Sequence, residues 1–412
     1  GGGDMKDLVG PFAFPLFRRL SIAANLSHFS FTVLGVAAAY LVFQMTRSAV
    51  DVGVLAALAI VPGIVGPAVT ATMMERYCPR KMAINLAVVK TAAPAMMAIL
   101  YALGDLTVGW IFVLVFIGGL ARAGIQPIIL ELYRYTLPPE HQDDSTATHR
   151  HFVEHAVTLI GAVTSAIVYT HFGAEVVFSL AALASLMMLI VLRVADSLQA
   201  SCDALRLRPP PPPLLEGLRS GLSIPIVAAA LISGGFLLLL VAPLQSLAPR
   251  IAMSHGESPM YVGWLVAALA AGGMAASLIS ERFANSEAGQ RRELELALVL
   301  VGPLLALLGI SMSLATDLLV LFLLGASLQI TFVVMPWAVL TNAPKEISGR
   351  MVGLLFVVGA LTGGLGALIM GALVDRFGLE EVLIVCGTVA LIFGAFRAFR
   401  ISRSALVSTS DQ

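Results

Sequence analysis

Runs of about 20 apolar residues recur along this chain, and that recurrence limits the available folds more than any other feature. Such runs fall near 20–44, 51–74, 82–103, 108–132, 152–172 and 175–195, and again near 222–247, 259–281, 292–314, 317–341, 350–374 and 379–401; they are called spans 1 to 12 below. A bilayer core about 30 Å thick is crossed by roughly 20 apolar residues in a helix. Backbone groups in hydrocarbon must be satisfied within the segment, and these runs are too long and continuous for alternating barrel strands, which leaves helices. The chain is 58% hydrophobic and 12% charged, where soluble domains are about half apolar and about a quarter charged. The expected fold class is an all-α membrane protein of twelve transmembrane helices in two six-helix bundles.

The ties between the spans orient the chain. With the N-terminus inside, Arg18, Arg19, Arg76, Arg80, Lys81, Arg134, Arg193, Arg206, Arg208, Arg219 and most later Lys and Arg fall on the cytoplasmic side, and the other side holds Arg47, Arg250 and Arg376. That asymmetry is what the positive-inside rule requires. It places both termini in the cytoplasm and the protein in an inner (cytoplasmic) membrane. The expected divisions are a cytoplasmic tail over 1–19, a bundle over 20–195, a linker over 196–221, a second bundle over 222–401 and a tail over 402–412. The linker contains "RLRPPPPPLLEG", whose prolines favour a stiff extended spacer. Cys78, Cys202 and Cys386 are too few and too scattered for a disulfide framework, and the first two lie in ties expected to be cytoplasmic, where thiols stay reduced. The start of the chain shows no small-residue cleavage site after a short apolar core, so span 1 is expected to be its own uncleaved signal.

The second half echoes the first. "MMERYC" at 73–78 returns as "LISERFA" at 278–284, and "HFGAEVV" at 171–177 returns as "RFGLEEV" at 376–382. Both echoes are displaced by half a chain and keep their place in the span order. A six-plus-six repeat of this kind is the plan of one large transporter class.

On these residues the chain resembles the major facilitator superfamily over nearly its whole length. The superfamily's signature between helices 2 and 3 is matched by Glu75, Arg76, Tyr77, Arg80 and Lys81, with Gly66 a loose counterpart of its glycine, Glu in place of Asp, and Cys78-Pro79 where glycine is expected. "YLVFQMTRSAVDVGVLAAL" (40–58), "IQPIILELYRYTLPPEHQDDSTA" (125–147) and "PKEISGRMVGLLFVVGALTGGLGALIMGALVDRFG" (344–378) are similar to the enterobactin-exporter-like branch of siderophore and drug efflux proteins. The antiporter signature on helix 5 is incomplete: Gly161 is present, but Ala162 stands where proline is expected. The resemblance implies export by proton antiport, and gating of the inner face by Glu75, Arg76, Arg80, Lys81, Glu281, Arg282 and Arg350.

Ionisable groups inside spans are the other functional signal, because a charge at the bilayer centre costs roughly 2.5–3.5 kcal/mol on insertion scales. Arg122 lies mid-span 4 and Lys90 mid-span 3; Asn25 and His28 share a face of span 1; Gln245 and Gln329 lie in spans 7 and 10. By resemblance, helices 1 and 4 line a central cavity, so these six residues are the substrate-binding candidates, with a structural pair or snorkelling as the alternative for Lys90 and an interhelical hydrogen bond for Asn25, His28, Gln245 and Gln329. Embedded cations without an evident mid-membrane acid favour an anionic or zwitterionic solute. Glu131, Glu154, His155 and Asp51 are the proton-coupling candidates. His151 and His155, four residues apart in "HFVEH", have a spacing that permits metal binding, but the stretch better suits a pH-sensitive coupling group or, above all, a solvated helix entrance.

No phosphate-binding G-x-x-x-x-G-K-[ST] motif occurs, and no nucleophile–base set stands out, so no enzyme activity, cofactor or resident metal is expected. The expected partners are a small-molecule substrate, protons and the lipid bilayer, with no nucleic acid, and the expected state is a monomer. The sequence reading is an exporter of a siderophore-like solute. Multidrug, transition-metal or lysolipid transport, or a non-transporting receptor or scaffold, stand as alternatives.

Overall fold

The computed structural model describes residues 14–74, 77–136, 144–194, 223–256, 258–283, 287–342 and 345–410, and in these ranges the structure is helical with short ties. Among the described residues, ten helices are long and apolar enough to cross a membrane, and Leu294–Ile310 is a shorter apolar helix. One of the ten, Arg150–Val194, is 45 residues long and turns at Gly173 (φ 83°, ψ 176°), so spans 5 and 6 are joined without a loop. The arrangement is consistent with twelve passages.

Local chemistry sets the ends. Span 1, Pro15–Thr46, opens with proline at its first turn and closes on Arg47 in the left-handed region (φ 56°). Span 2 opens at Ser48, whose hydroxyl accepts from the Asp51 N–H, and it breaks between Ala49–Ile60 and Pro62–Met74, where Pro62 cannot continue the helical hydrogen bonds. Span 7 is likewise broken, into Pro225–Val241 and Leu244–Ala252. Gly173 and Gly378, partners in the sequence echo, both take positive φ (83° and 97°), a conformation that a Cβ would strain. The repeated glycines therefore share a backbone shape as well as a place.

The ties at 47–48, 103–107, 173, 253–258, 311–313 and 378 lie on one face, called here the far face; the chain ends lie on the terminal face. Toward the far face the apolar core is continuous between the two halves: Val36, Tyr40, Ala49 and Ala162 pack in one cluster with Leu240, Leu244, Leu247 and Val266. Toward the terminal face it divides. Leu20, Met82, Ile128 and Leu192 form a cluster within the first half, and Val227, Leu231, Leu238 and Met335 form one within the second.

The packing of span 2 on span 11 shows the same wedge. A methyl group at Gly371 would stand 2.6 Å from the Ala49 carbonyl oxygen, whereas at Gly63, further toward the terminal face, the nearest atom is Ala360 Cβ at 3.8 Å. Gly53 is also closed off, by the Ala367 carbonyl. The halves are shut at the far face and diverge from it.

Cys386 is free, and Cys202 lies outside the described residues. The linker over 196–221, the tail over 1–13 and the gate residues Glu75 and Arg76 lie outside the described residues.

Orientation is open to a direct test. Met312 is 93% exposed on the far face, and Lys81 is exposed on the terminal face. In a cysteine-free background, Met312→Cys should react with a membrane-impermeant maleimide in intact cells, and Lys81→Cys only after permeabilisation. The reverse pattern would invert the topology.

Candidate functional site

Mid-membrane polar side chains gather where spans 1, 4, 5 and 10 meet. Arg122 turns inward: its guanidinium carbon lies 4.1 Å from the centroid of the Phe31 ring. No carboxylate among the described residues is within ion-pair distance of it. One helical turn from Phe31, His28 Nε2 lies 2.7 Å from Thr158 Oγ1, and that hydroxyl donates to the Glu154 carbonyl oxygen at 3.0 Å. Arg122, Glu154 and His155 share the electrostatic surroundings of His28.

Span 5 carries the rest. Glu154 lies 3.4 Å from His151 Nδ1 and 3.7 Å from Arg150 Nε. His155 crosses to the other half. Its ring lies against Gly273 of span 8, where a methyl group would stand 2.5 Å from Cε1, and its Nε2 reaches Gln329 Oε1 of span 10 at 2.7 Å. Gln329 is 1% exposed, and its amide nitrogen is buried without a partner. The two imidazoles of "HFVEH" thus serve different partners rather than one ion, and among the described residues no group of three His, Cys, Asp or Glu could hold a metal.

Other expected residues lie elsewhere. Lys90 is buried inside the first half, donating to the Ser27 carbonyl at 2.9 Å and to Ser185 Oγ at 3.4 Å, next to a Ser30–Ser185 hydrogen bond of 2.7 Å. It is held as an interhelical tie. Asn25 parts from His28 and lines an apolar groove of about 300 Å³ between spans 1 and 5, with Ile22, Leu26, Phe29, Val157 and Ile160. Gln245 is exposed in the short helix after the span 7 break. Asp51 sits in the first turn of span 2. The side chains of Glu131, Glu281, Arg282 and Arg350 lie outside the described part of the structure. Of the remaining gate residues, Arg80 donates to the Arg193 carbonyl at 2.6 Å, and Lys81 is exposed.

The far-face closure has a polar clasp that the sequence reading missed. Asp375, near the end of span 11, accepts from the backbone N–H groups of Ala49 and Val50 at 2.8 and 2.9 Å and from the Ser48 hydroxyl at 2.8 Å. An anion here caps the start of span 2, where the helix dipole and unpaired N–H groups favour it. Ser48 before an apolar helix was a readable cap signal; its partner, on the other half, was not. A second missed pair, His255 Nε2 and Asp317 Oδ2 at 2.6 Å, ties the end of span 7 to the start of span 10 with both side chains buried.

Hydrogen bonds to a charged group contribute about 1.5–3 kcal/mol each when buried; Asp375 is exposed, so solvent screening cuts the three together to roughly 1.4 kcal/mol, about 10-fold. Ala248 is 2% exposed within the seal. We expect Asp375→Ala to raise the labelling rate of Ala248→Cys by an impermeant reagent applied to the far face by about that factor. An unchanged rate would show that the clasp does not hold this face shut.

The profile of the Major Facilitator Superfamily matches residues 20–366. Among solved structures, the nucleoside transporter NupG superposes with a TM-score of 0.75 at 12% identity, covering 92% of this chain and 98% of its own. A POT family transporter in complex with 5-aminolevulinic acid gives 0.71 at 14%, covering 93% and 96%. A bacterial homolog to human lysosomal transporter, Spinster, in an inward-facing and unoccupied conformation gives 0.69 at 14%, covering 96% and 98%. At these identities the likeness shows the fold. No curated protein matches the sequence. A profile match over most of the length, apolar helices throughout and a fold shared with transporters make this chain a multi-pass membrane transporter rather than an enzyme, and a member of the major facilitator superfamily.

Proposed function

We propose that this transporter exports a small anionic or zwitterionic, siderophore-like solute by proton antiport with alternating access, in an inner membrane with both termini in the cytoplasm. The observation that carries the reading is Arg122, a mid-membrane guanidinium with an aromatic face beneath it and no carboxylate against it among the described residues. A cation–π contact contributes about 0.5–2 kcal/mol, less than the roughly 2.5–3.5 kcal/mol that insertion of the charge costs. Glu154 acts on Arg122 from beyond ion-pair distance, and a solute anion completes the balance. Support for export comes from the stretches similar to the enterobactin-exporter-like branch, and support for inward orientation from the distribution of Lys and Arg.

In this reading Arg122 and His28 bind the solute from the first half and Gln329 from the second. Glu154 and His155 are the proton-coupling groups, one beside the cationic site and the other bridging the halves. The wedge closed at the far face is the solute-loading state, open toward the terminal face. The ties carrying Glu75–Arg76 and Glu281–Arg282 would shut that opening in the opposite state. A second reading, an amphiphile entering sideways, is favoured by the apolar groove at Asn25, where Ile22 and Ile160 are each about half exposed.

Flux in proteoliposomes with an imposed pH gradient separates these readings. Catecholate or hydroxycarboxylate siderophores should move and a lipophilic cationic dye should not. Arg122→Gln should lower the flux about 100-fold, from about 3 kcal/mol for an unpaired buried charge partner, and Arg122→Lys should restore part of it. Flux indifferent to Arg122→Gln would refute the anion site, and movement of lysolipid alone would favour the groove.

A further inference from the structure

His28 and Thr158 together fix something that neither does alone. The Thr158 hydroxyl has one proton and lies within hydrogen-bond distance of two atoms, the Glu154 carbonyl oxygen at 3.0 Å and His28 Nε2 at 2.7 Å. A carbonyl oxygen can only accept. If the proton pointed at His28, two oxygen lone pairs would face each other at the carbonyl with nothing between them. Only one arrangement satisfies all three atoms: the hydroxyl donates to the carbonyl and accepts from His28 Nε2–H. The neutral ring then carries its proton on Nε2 and leaves Nδ1 as an acceptor, for which no partner occurs among the described residues.

His28 also stands three residues before Phe31, on the same helix face, and it is over Phe31 that the Arg122 guanidinium lies. Residues so spaced are about 5–6 Å apart at Cβ. Arg122 is also among the charged groups close enough to act on the His28 ring, so a donor-only cation and an acceptor-only nitrogen share one neighbourhood.

We infer that His28 selects the solute's second functional group, so that the preferred solute bears a hydroxyl or other N–H or O–H donor beside its carboxylate, as a 2-hydroxy acid does, with Thr158 as the positioning residue that holds the ring in the required tautomer. The inference rests on the reading of Arg122 as an anion site. His28 is half-buried, so a carboxylate alone would engage Arg122 and displace water from Nδ1 without replacing its hydrogen bond, whereas an adjacent hydroxyl replaces it. Sites built around a hydrogen bond reject the analogue that lacks it, because the protein group is left unpaired.

Citrate and tricarballylate differ only in the central hydroxyl and serve as the probe pair. The purified full-length transporter should bind citrate at least about 10-fold more tightly than tricarballylate. Thr158→Val, which keeps the shape and removes the hydroxyl, should reduce that ratio toward one. Thr158→Ser should restore the ratio. In the same protein labelled with 15N-histidine, the His28 ring should give the Nε2–H tautomer pattern, lost in Thr158→Val. Equal binding of the two acids, a ratio insensitive to Thr158→Val, or an Nδ1–H pattern at His28 would overturn the inference while leaving the anion site standing. Failure of both acids to bind, with flux indifferent to Arg122→Gln, would instead remove the anion site and the selection with it.

Discussion

Arg122 sits midway along span 4, where lipid cannot solvate a guanidinium and water reaches it only through the protein. The fold answers by turning it inward onto Phe31 of span 1. A positive charge held there is incompletely satisfied by a ring, so the surrounding helices enclose a place that is electrostatically unfinished. The neighbours add direction. His28 is bound from one side by Thr158, Glu154 is drawn toward Arg150 and His151, and His155 leaves the group to reach Gln329 in the second half. The first half thus supplies most of the charge and the second half an amide.

Such a place is useful to a transporter only if it faces one side at a time. The continuous apolar cluster joining Val36 and Tyr40 to Leu240 and Leu244 excludes water from the far face, and the Asp375 clasp adds bonds that exist only while spans 2 and 11 are in register there. Toward the terminal face the cores separate. Contacts made in one arrangement and absent in the other are what bias a two-state equilibrium. In the proposed cycle, the seal and clasp hold one state, and the charged ties on the terminal face hold the other.

Much of the fold was legible in the sequence because lipid imposes a strong, one-dimensional rule: span length and apolarity follow from membrane thickness alone. The glycines of the two echoes were legible for a related reason, since a turn needing positive φ admits few residues, and Gly173 and Gly378 meet that need in the same way. The site was legible only in part. Arg122 stood out by its cost, and His155 and Gln329 by their polarity, but nothing in sequence spacing says that one would cross Gly273 to meet the other. Lys90 carried the same apparent signal as Arg122, and only its bonds to Ser27 and Ser185 show it to be a tie within the first half. Thr158, an ordinary residue in an apolar run, and Asp375, whose partners lie more than 300 residues away, depend on long-range packing that periodicity does not report.

Rocking of two halves about Arg122 is tested most directly by paired distances on the two faces. Leu103 and Met312 are exposed on the far face, one in each half, and Lys81 and Ile279 are similarly placed toward the terminal face. Spin labels at each pair, read by double electron resonance between about pH 8 and pH 5 in lipid, should give two-component distributions whose weights move in opposite senses: as the far-face pair separates, the terminal-face pair closes. A single unchanging distance in either pair, or both pairs widening together, would contradict alternating access about this site.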